Sequence, residues 1–348
     1  MSLETVRLEH RFHFQYRRVL GDEYDVLMRL PEELQRGIDA IVSSTTAPAM
    51  TRAAAEISEA YRKGDFASAP LKSLAHRLAY LQVRQPATYV ACHRVFETTR
   101  ETMPDFQPSS LLDLGAGPGT AMWAATECFP SIEKISCVER DPDLIRIGKT
   151  LIAESSHSPI QNATWTTTDL RTLTPQPHDV IVLSYTLGEL NAGDAKRLVS
   201  AAWKAAKLLI LIEPGTPKAF ARMAELRKQL IADRATIAAP CPHENDCPLL
   251  LKDDWCHFAA RLERTAEHRR IKGGSLGYED EKFCYLSATR LPVERAGRIV
   301  RHPMIHSGYV QLQVCATDKL RQTTVTKSHK EIYRAARKSA WGDRWPPS

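Results

Sequence analysis

The chain reads as an α/β protein built on a largely parallel sheet, and three observations predict this. Between residues 110 and 231 short apolar runs alternate with stretches of helical pattern, as in a sheet covered on both faces. A glycine-rich turn, Gly115-Ala-Gly-Pro-Gly119, follows the first of these runs and opens a helix. The run Lys207-Leu-Leu-Ile-Leu-Ile-Glu213 carries charge only at its ends, which suits a strand buried on both faces.

The elements follow in order. Strands are expected at residues 111–114, 135–138, 164–167, 180–183 and 208–212, with helices at 120–128, 142–152, 192–206 and 217–231. Residues 282–288 and 309–316 suit an antiparallel pair that closes the sheet. Upstream, Pro31 and the acids after it open a helix running to Ile41. Helical spacing recurs over 51–61, 74–81 and 88–101. The expected division is an extension (1–30), a helical subdomain (31–104), an α/β core (105–236), a cysteine-rich insertion (237–284), closing strands (285–318) and a basic tail (319–348).

The 348 residues, 43% hydrophobic and 25% charged, fit a folded globular chain. No apolar run approaches the roughly 20 residues that span a bilayer, so no membrane role is expected, and a monomer is. The first residues contain Glu4 and Glu9 and no apolar core, against a secretory signal. Glu4, Glu9, Asp22 and Glu23 disfavour a mitochondrial presequence, whereas Arg11, Arg17 and Arg18 favour one. The expected setting is a reducing one: a bacterial cytoplasm, or a mitochondrion in a eukaryote. There, clustered cysteines are more often metal ligands than disulfides.

The glycine turn lets the backbone bend sharply and a ligand approach without a Cβ in the way. Glu139 ends the next strand, where a carboxylate can accept hydrogen bonds from two ribose hydroxyls. Asp169 follows the third strand, where it could receive an adenine amino group. Asp113 precedes the glycines and could brace the turn or meet the cofactor's amino end. Asp113, Gly115, Gly117, Gly119, Glu139 and Asp169 together resemble the class I S-adenosylmethionine-dependent methyltransferases, with their Rossmann-like seven-stranded sheet. A nicotinamide-binding domain competes, but its third glycine comes one residue later than Gly119.

The catalytic end is less definite. Ser184-Tyr-Thr-Leu-Gly-Glu-Leu-Asn191 follows the fourth strand. It carries neither an Asn/Asp-Pro-Pro-aromatic motif nor a nucleophilic cysteine. Glu189 remains as a candidate acid or base, with a helix-capping role equally open. Tyr185 could stack on a substrate ring or pack in the core.

Four cysteines, Cys241, Cys247, Cys256 and Cys284, are separated by five, eight and twenty-seven residues. Four thiolates suit tetrahedral zinc or a 4Fe–4S cluster. The irregular spacing and the prolines after Cys241 and Cys247 suit a cluster better than paired zinc knuckles. Cys92, Cys128, Cys137 and Cys315 fall in expected helices or strands and read as core. A metal pinning the segment between Cys256 and Cys284 would fix a basic helix on the surface.

The net charge of +6 is modest, but positive residues crowd into 261–272 and 319–344. Beside Tyr333, Trp341 and Trp345 these suggest phosphate contact, with solvated helix faces as the other reading.

Cys241-Pro-His-Glu-Asn-Asp-Cys247-Pro-Leu249, Asp254-Trp-Cys-His-Phe258, Tyr278-Glu-Asp-Glu-Lys-Phe-Cys-Tyr-Leu286 and the tail from Lys327 to Asp343 resemble the methyltransferase-like assembly factors of the mitochondrial small ribosomal subunit and their bacterial relatives. The resemblance covers residues 31–343. It implies a class I methyltransferase fold, a 4Fe–4S cluster on the four cysteines, and binding to small-subunit ribosomal RNA. Arg264, Arg269, Arg270, Lys330, Arg334 and Lys338 are then the expected phosphate contacts. Three functions follow as expectations: an RNA methyltransferase, a non-catalytic RNA-binding assembly factor, or a zinc-stabilised methyltransferase of a protein or small molecule.

Overall fold

The computed structural model describes residues 27–43, 46–63, 71, 73–153, 155–252 and 254–347. Most of the expected extension, residues 1–26, lies outside the described residues. The chain enters through β1 (Leu27–Met28) and helices α1 (Glu32–Val42), α2 (Ala47–Lys63), α3 (Leu74–Ala79) and α4 (Gln85–Thr102), with one wide π-type turn, Tyr80–Arg84, before α4. The first helix buries Leu34, Ile38 and Val42, one face at intervals of four. By contrast α4 is buried almost all round, from Gln85 to Thr102, because it lies between the sheet and the other helices.

The core then alternates as expected: β2 (Ser110–Leu114), α5 (Thr120–Cys128), β3 (Lys134–Glu139), α6 (Pro142–Ala153), α7 (Ser158–Gln161), β4 (Thr164–Thr167), β5 (His178–Ser184), α8 (Ala192–Ala205), β6 (Ala206–Pro214), α9 (Pro217–Ala232) and β7 (Thr236–Ala239). Asn191 and Thr216 cap α8 and α9, their side chains accepting from Asp194 and Ala219 N–H groups. Next come β8 (Phe258–Glu263), α10 (Ala266–Lys272) and β9 (Tyr278–Thr289). Strands β2, β3, β4, β5 and β6 are parallel, and β9 runs antiparallel to β6. The order is β1-β8-β9-β6-β5-β2-β3-β4, with β7 also paired to β9. The chain leaves β2 for β3 on one side and returns through β5 on the other. Ligands of such sheets bind at the strand ends above that switch point.

Seven strands stand as the class I arrangement requires, but among the described residues the sheet has nine, because β8 and β1 extend it past β9. The expected insertion is therefore partly built into the sheet. A second correction concerns 309–316, expected to pair with 282–288. It instead forms β12 of a separate five-stranded sheet: β10 (Gly297–Ile299), β11 (Met304–Ile305), β12 (Tyr309–Cys315), β13 (Leu320–Thr326) and β14 (Arg344–Trp345). The place beside β9 is taken by β7, whose Thr236-Ile-Ala-Ala239 is too short and plain to read as a strand from sequence. The expected basic tail is part of this second sheet, with α11 (Lys330–Ala336) packed on it. The expected basic helix from Arg261 is likewise half strand, β8, and half α10.

Apolar layers cover both faces of the main sheet: α4, α5 and α6 with Leu111 and Ile210 on one, α8 and α9 with Leu112 and Leu211 on the other. A smaller core, Ile299, Val310, Leu312 and Val325 against Tyr333 and Trp345, holds the second sheet. Truncating a buried leucine in any of these layers costs about 2–5 kcal/mol.

Candidate functional site

The glycine turn sits at the end of β2, above the switch point. The N–H groups of Gly115 and Ala116 both donate to the Val138 carbonyl, at 2.8 and 3.0 Å, stitching the turn to β3. Gly115, Gly117 and Gly119 all have positive φ. A Cβ on Gly115 would meet Thr186 at 2.5 Å, whereas one on Gly117 would meet nothing within 4 Å. The first glycine is therefore demanded by packing, and the second faces open space.

Carboxylates surround the turn as expected. Glu139 is buried and accepts from the N–H groups of Gly117, Arg140 and Asp141 at 2.8–2.9 Å. Asp113 is buried with neither oxygen hydrogen-bonded, and burial, with the nearby Glu139, pushes its carboxyl up to about 8. An unpartnered buried carboxylate is costly, and a cationic ligand group would relieve it. Asp169 lies beyond β4 and is gripped by Arg171, at 2.6 Å for the closest pair. That hydrogen bond holds its carboxyl down to about 2. The turn and its acids fit S-adenosylmethionine: an open glycine, an orphaned carboxylate for an ammonium, and Glu139 at the strand end.

The groups that could act on a substrate are already engaged. Tyr185 takes the left-handed conformation with φ +56°, and its hydroxyl donates to Glu281 at 2.8 Å. Arg84, from the π-type turn, forks onto the same Glu281 at 3.0 and 3.2 Å. Glu189 pairs with Arg140 at 2.9 Å. Glu213, at the end of β6, is buried, accepts from the Leu187 N–H at 2.8 Å, and is pushed up to about 7 by burial. Glu213 was visible in the sequence only as the charged end of an apolar run.

The cysteines occupy a second site. The outer edge of β9 pairs with β8 as far as Phe283 and with β7 from Ser287 onward. Between them, residues 284–286 have no strand on that side among the described residues. A cavity of about 50 Å³ opens there, bordered by Cys241, Cys247, Cys256, Cys284, Cys315 and His243. Three arginines clasp the segment that covers it. Arg227 of α9 donates to the His243 carbonyl at 2.6 Å, Arg295 to the Pro242 carbonyl at 2.9 Å, and Arg301 reaches Asp254 at 2.5 Å.

Cys315 joins the four expected cysteines at this cavity. Burial, then the neighbouring Cys241, Cys247 and Cys315, pushes the Cys256 thiol well above its usual range. Burial, then Cys241 and Cys247, pushes Cys315 up to about 12. The Cys315 sulfur also lies 3.6 Å from His243 Nε2. Cys284 instead points its thiol at the Pro214 carbonyl, 3.4 Å away, and is raised by burial and by Glu213 rather than by other thiols. Cys315, expected in the core, thus borders the cavity with the other thiols, and Cys284 and Cys241 both belong to the apolar layer under α9. Sequence spacing could not reveal this, because Cys315 arrives from the second sheet. The donors suit zinc or an iron–sulfur group in kind. They border one cavity without converging: among the described residues no three His, Cys, Asp or Glu side chains stand close enough to hold an ion.

The expected phosphate contacts divide. Arg264 is buried and donates to the Gly273 carbonyl at 2.8 Å, so its charge is spent inside the fold. Arg270 is forked by Glu267. Arg269 closes the last turn of α10. Lys330, Arg334 and Lys338 are exposed on and after α11, and among the described residues no acid pairs with them.

The comparisons with known proteins accord with this picture. The chain is 27% identical over 289 residues to the human "Ribosome assembly protein METTL17, mitochondrial", covering 77% of this chain and 62% of that one. It is 27% identical over 343 residues to the "Rsm22-cox11 tandem protein 2, mitochondrial" of Schizosaccharomyces pombe, covering 80% of this chain and 45% of that one. The chain thus spans less than two thirds of the length of these relatives. Among solved structures, the magnesium protoporphyrin IX methyltransferase of Synechocystis PCC 6803 with bound SAM aligns with a TM-score of 0.38 at 12% identity, covering 67% of this chain and 90% of that one. Residues 74–346 match the family described as mitochondrial small ribosomal subunit Rsm22, and the chain belongs to that family.

Proposed function

We propose that this chain is an assembly factor of the small ribosomal subunit that binds S-adenosylmethionine, carries a thiolate-held iron–sulfur cluster and contacts ribosomal RNA. The observation that carries the reading is the thiol cavity. Three of its cysteines come from the segment after β7, Cys284 comes from β9 and Cys315 comes from the second sheet. A metal group held there ties the two sheets together, a structural role in which metal binding is folding energy. Cys241, Cys247 and Cys256, completed by Cys284 or Cys315, are the ligands of this proposal, and zinc is the competing occupant. A bacterial cytoplasm or a mitochondrion would each supply the small subunit it needs.

Asp113, Gly115, Gly117, Gly119, Glu139 and Asp169 would hold S-adenosylmethionine, which when bound supplies an activated methyl group. Asp113 would receive the ammonium, Glu139 the ribose hydroxyls and Asp169 the adenine amino group. Around the turn, Tyr185, Glu189 and Glu213 are all committed to protein partners. No uncommitted acid or base among them stands ready to take a proton, which favours an RNA-binding factor over a methyl-transferring enzyme. Methyl transfer is the second reading, favoured by the open face of Gly117.

The test is complementation of a deletion strain with Gly117→Arg, with methylation of small-subunit RNA mapped in parallel. Full rescue of subunit assembly supports the RNA-binding factor and removes any essential role for the cofactor. A methyl mark that vanishes with Gly117→Arg, together with failed assembly, supports the enzyme.

A further inference from the structure

The second sheet ends in an exposed hairpin whose residues no part of the cofactor or thiol sites uses. Strands β11 and β12 are joined by Ser307 and Gly308, and the His306 N–H donates to the Tyr309 carbonyl at 2.9 Å. Across this turn the rings of His306 and Tyr309 stack, centroids 4.4 Å apart and 23° from parallel. Both rings are exposed, and Met304 and Ile305 beside them are 49% and 38% exposed. A stacked pair on a hairpin tip stabilises the turn, but that needs no open aromatic face, and apolar groups gathered in solvent mark a contact surface.

The surroundings identify the contact. On the outer face Tyr309 stands opposite Thr326, Gln311 opposite Thr324 and Gln313 opposite Gln322, amides and hydroxyls without an acid. The Lys327 N–H donates to the Gly308 carbonyl at 2.9 Å, which fixes that lysine beside the tip. The Tyr333 hydroxyl donates to the Ser307 carbonyl, which brings α11, with Lys330 and Arg334, alongside. Among the described residues no acid pairs with Lys327, Lys330 or Arg334. Flat rings, hydrogen-bonding amides and uncompensated cations are what an unpaired polynucleotide strand requires. A duplex offers its bases only at their edges.

We propose that the His306–Tyr309 tip is a stacking platform for an unpaired base of RNA, with the flanking phosphates on Lys327, Lys330 and Arg334. This rests on the RNA-binding reading above and names the element and the kind of RNA. The tip takes the base, the outer face of β12 and β13 takes its neighbours, and the cations make the contact salt-dependent.

The experiment titrates the holo full-length chain into a fluorescein-labelled single strand of small-subunit ribosomal sequence, and into the same sequence annealed to its complement. Tyr309→Thr keeps a β-forming residue and removes the ring; Tyr309→Phe keeps the ring. Tyr309→Thr is expected to weaken single-strand binding roughly fivefold to a hundredfold, with the melting temperature lowered by no more than a few degrees, duplex binding unchanged and Tyr309→Phe like wild type. Tyr309→Thr within twofold of wild type, while Lys330→Ala and Arg334→Ala still weaken binding, overturns the platform and leaves the RNA reading standing. Loss of subunit assembly in cells with RNA affinity unchanged overturns it in favour of a protein partner at the tip. A wild-type chain with no salt-sensitive RNA binding overturns both.

Discussion

The glycine turn and the thiol cavity are built in opposite ways. The turn is local: Asp113, the glycines and Glu139 lie within two consecutive strands, and backbone hydrogen bonds to Val138 hold it in shape without a ligand. The cavity is assembled from the segment after β7, the middle of β9 and the far end of β12, and arginine side chains hold its cover. A site of the first kind is ready to bind and loses little when empty. One of the second kind is held by side-chain clasps across distant segments, and the proposed metal group would add a tie between them.

The largest expected effect comes from breaking the second kind. Cys256→Ser, in the holo protein, removes the metal and loosens the second sheet. Hydrogen exchange should show β10 to β14 losing protection by orders of magnitude while β2 to β6 change little. Equal loss in both sheets would erase the contrast. Next is Arg227→Ala, which leaves the buried His243 carbonyl without its donor. It should lower stability by about 2–3 kcal/mol in a denaturant melt and speed metal loss to a chelator.

The two glycines sharpen the comparison within the turn. Gly115→Ala forces a Cβ onto Thr186 and should cost about 1–3 kcal/mol in stability. Gly117→Arg reaches into open space, so it should abolish S-adenosylmethionine binding by calorimetry while the melting temperature moves by only a few degrees.

The last effect is pH-dependent. Asp113 holds its proton up to about pH 8 in the folded chain, whereas the unfolded chain releases it in the ordinary carboxylate range. Between those limits the folded state binds more protons, so stability falls as pH rises. Asp113→Asn removes that fall: the ligand-free variant should melt higher than wild type at pH 8 and like it at pH 4, while binding S-adenosylmethionine about tenfold more weakly, the loss of one charge-assisted hydrogen bond.

These contrasts also explain what could be read from sequence. The core strands and helices were legible because each announces itself within about ten residues through periodicity, caps and glycines, and so was the turn with its acids. The place beside β9 was not: Thr236-Ile-Ala-Ala239 is weak as a strand, and the stronger Tyr309–Cys315 segment looked like the partner until the second sheet claimed it. The same displacement hid Cys315, which sits on the face of β12 opposite the core positions Val310, Leu312 and Val314. Arg264 was misread because charge along a sequence does not show which guanidinium is turned inward to a carbonyl. Tyr185 and Glu281 are joined by a hydrogen bond across 96 residues, a pairing no local pattern encodes.

The central claim is the proposed one, that the thiol cavity holds a metal group. Wild type, Cys256→Ser, Cys284→Ser and Cys315→Ser should be purified without oxygen, and iron, sulfide and zinc quantified beside the visible spectrum. The account predicts near-stoichiometric metal in wild type and its loss in Cys256→Ser, with Cys284→Ser and Cys315→Ser deciding which thiol completes the set. Wild type without metal, or metal kept in Cys256→Ser, would contradict it.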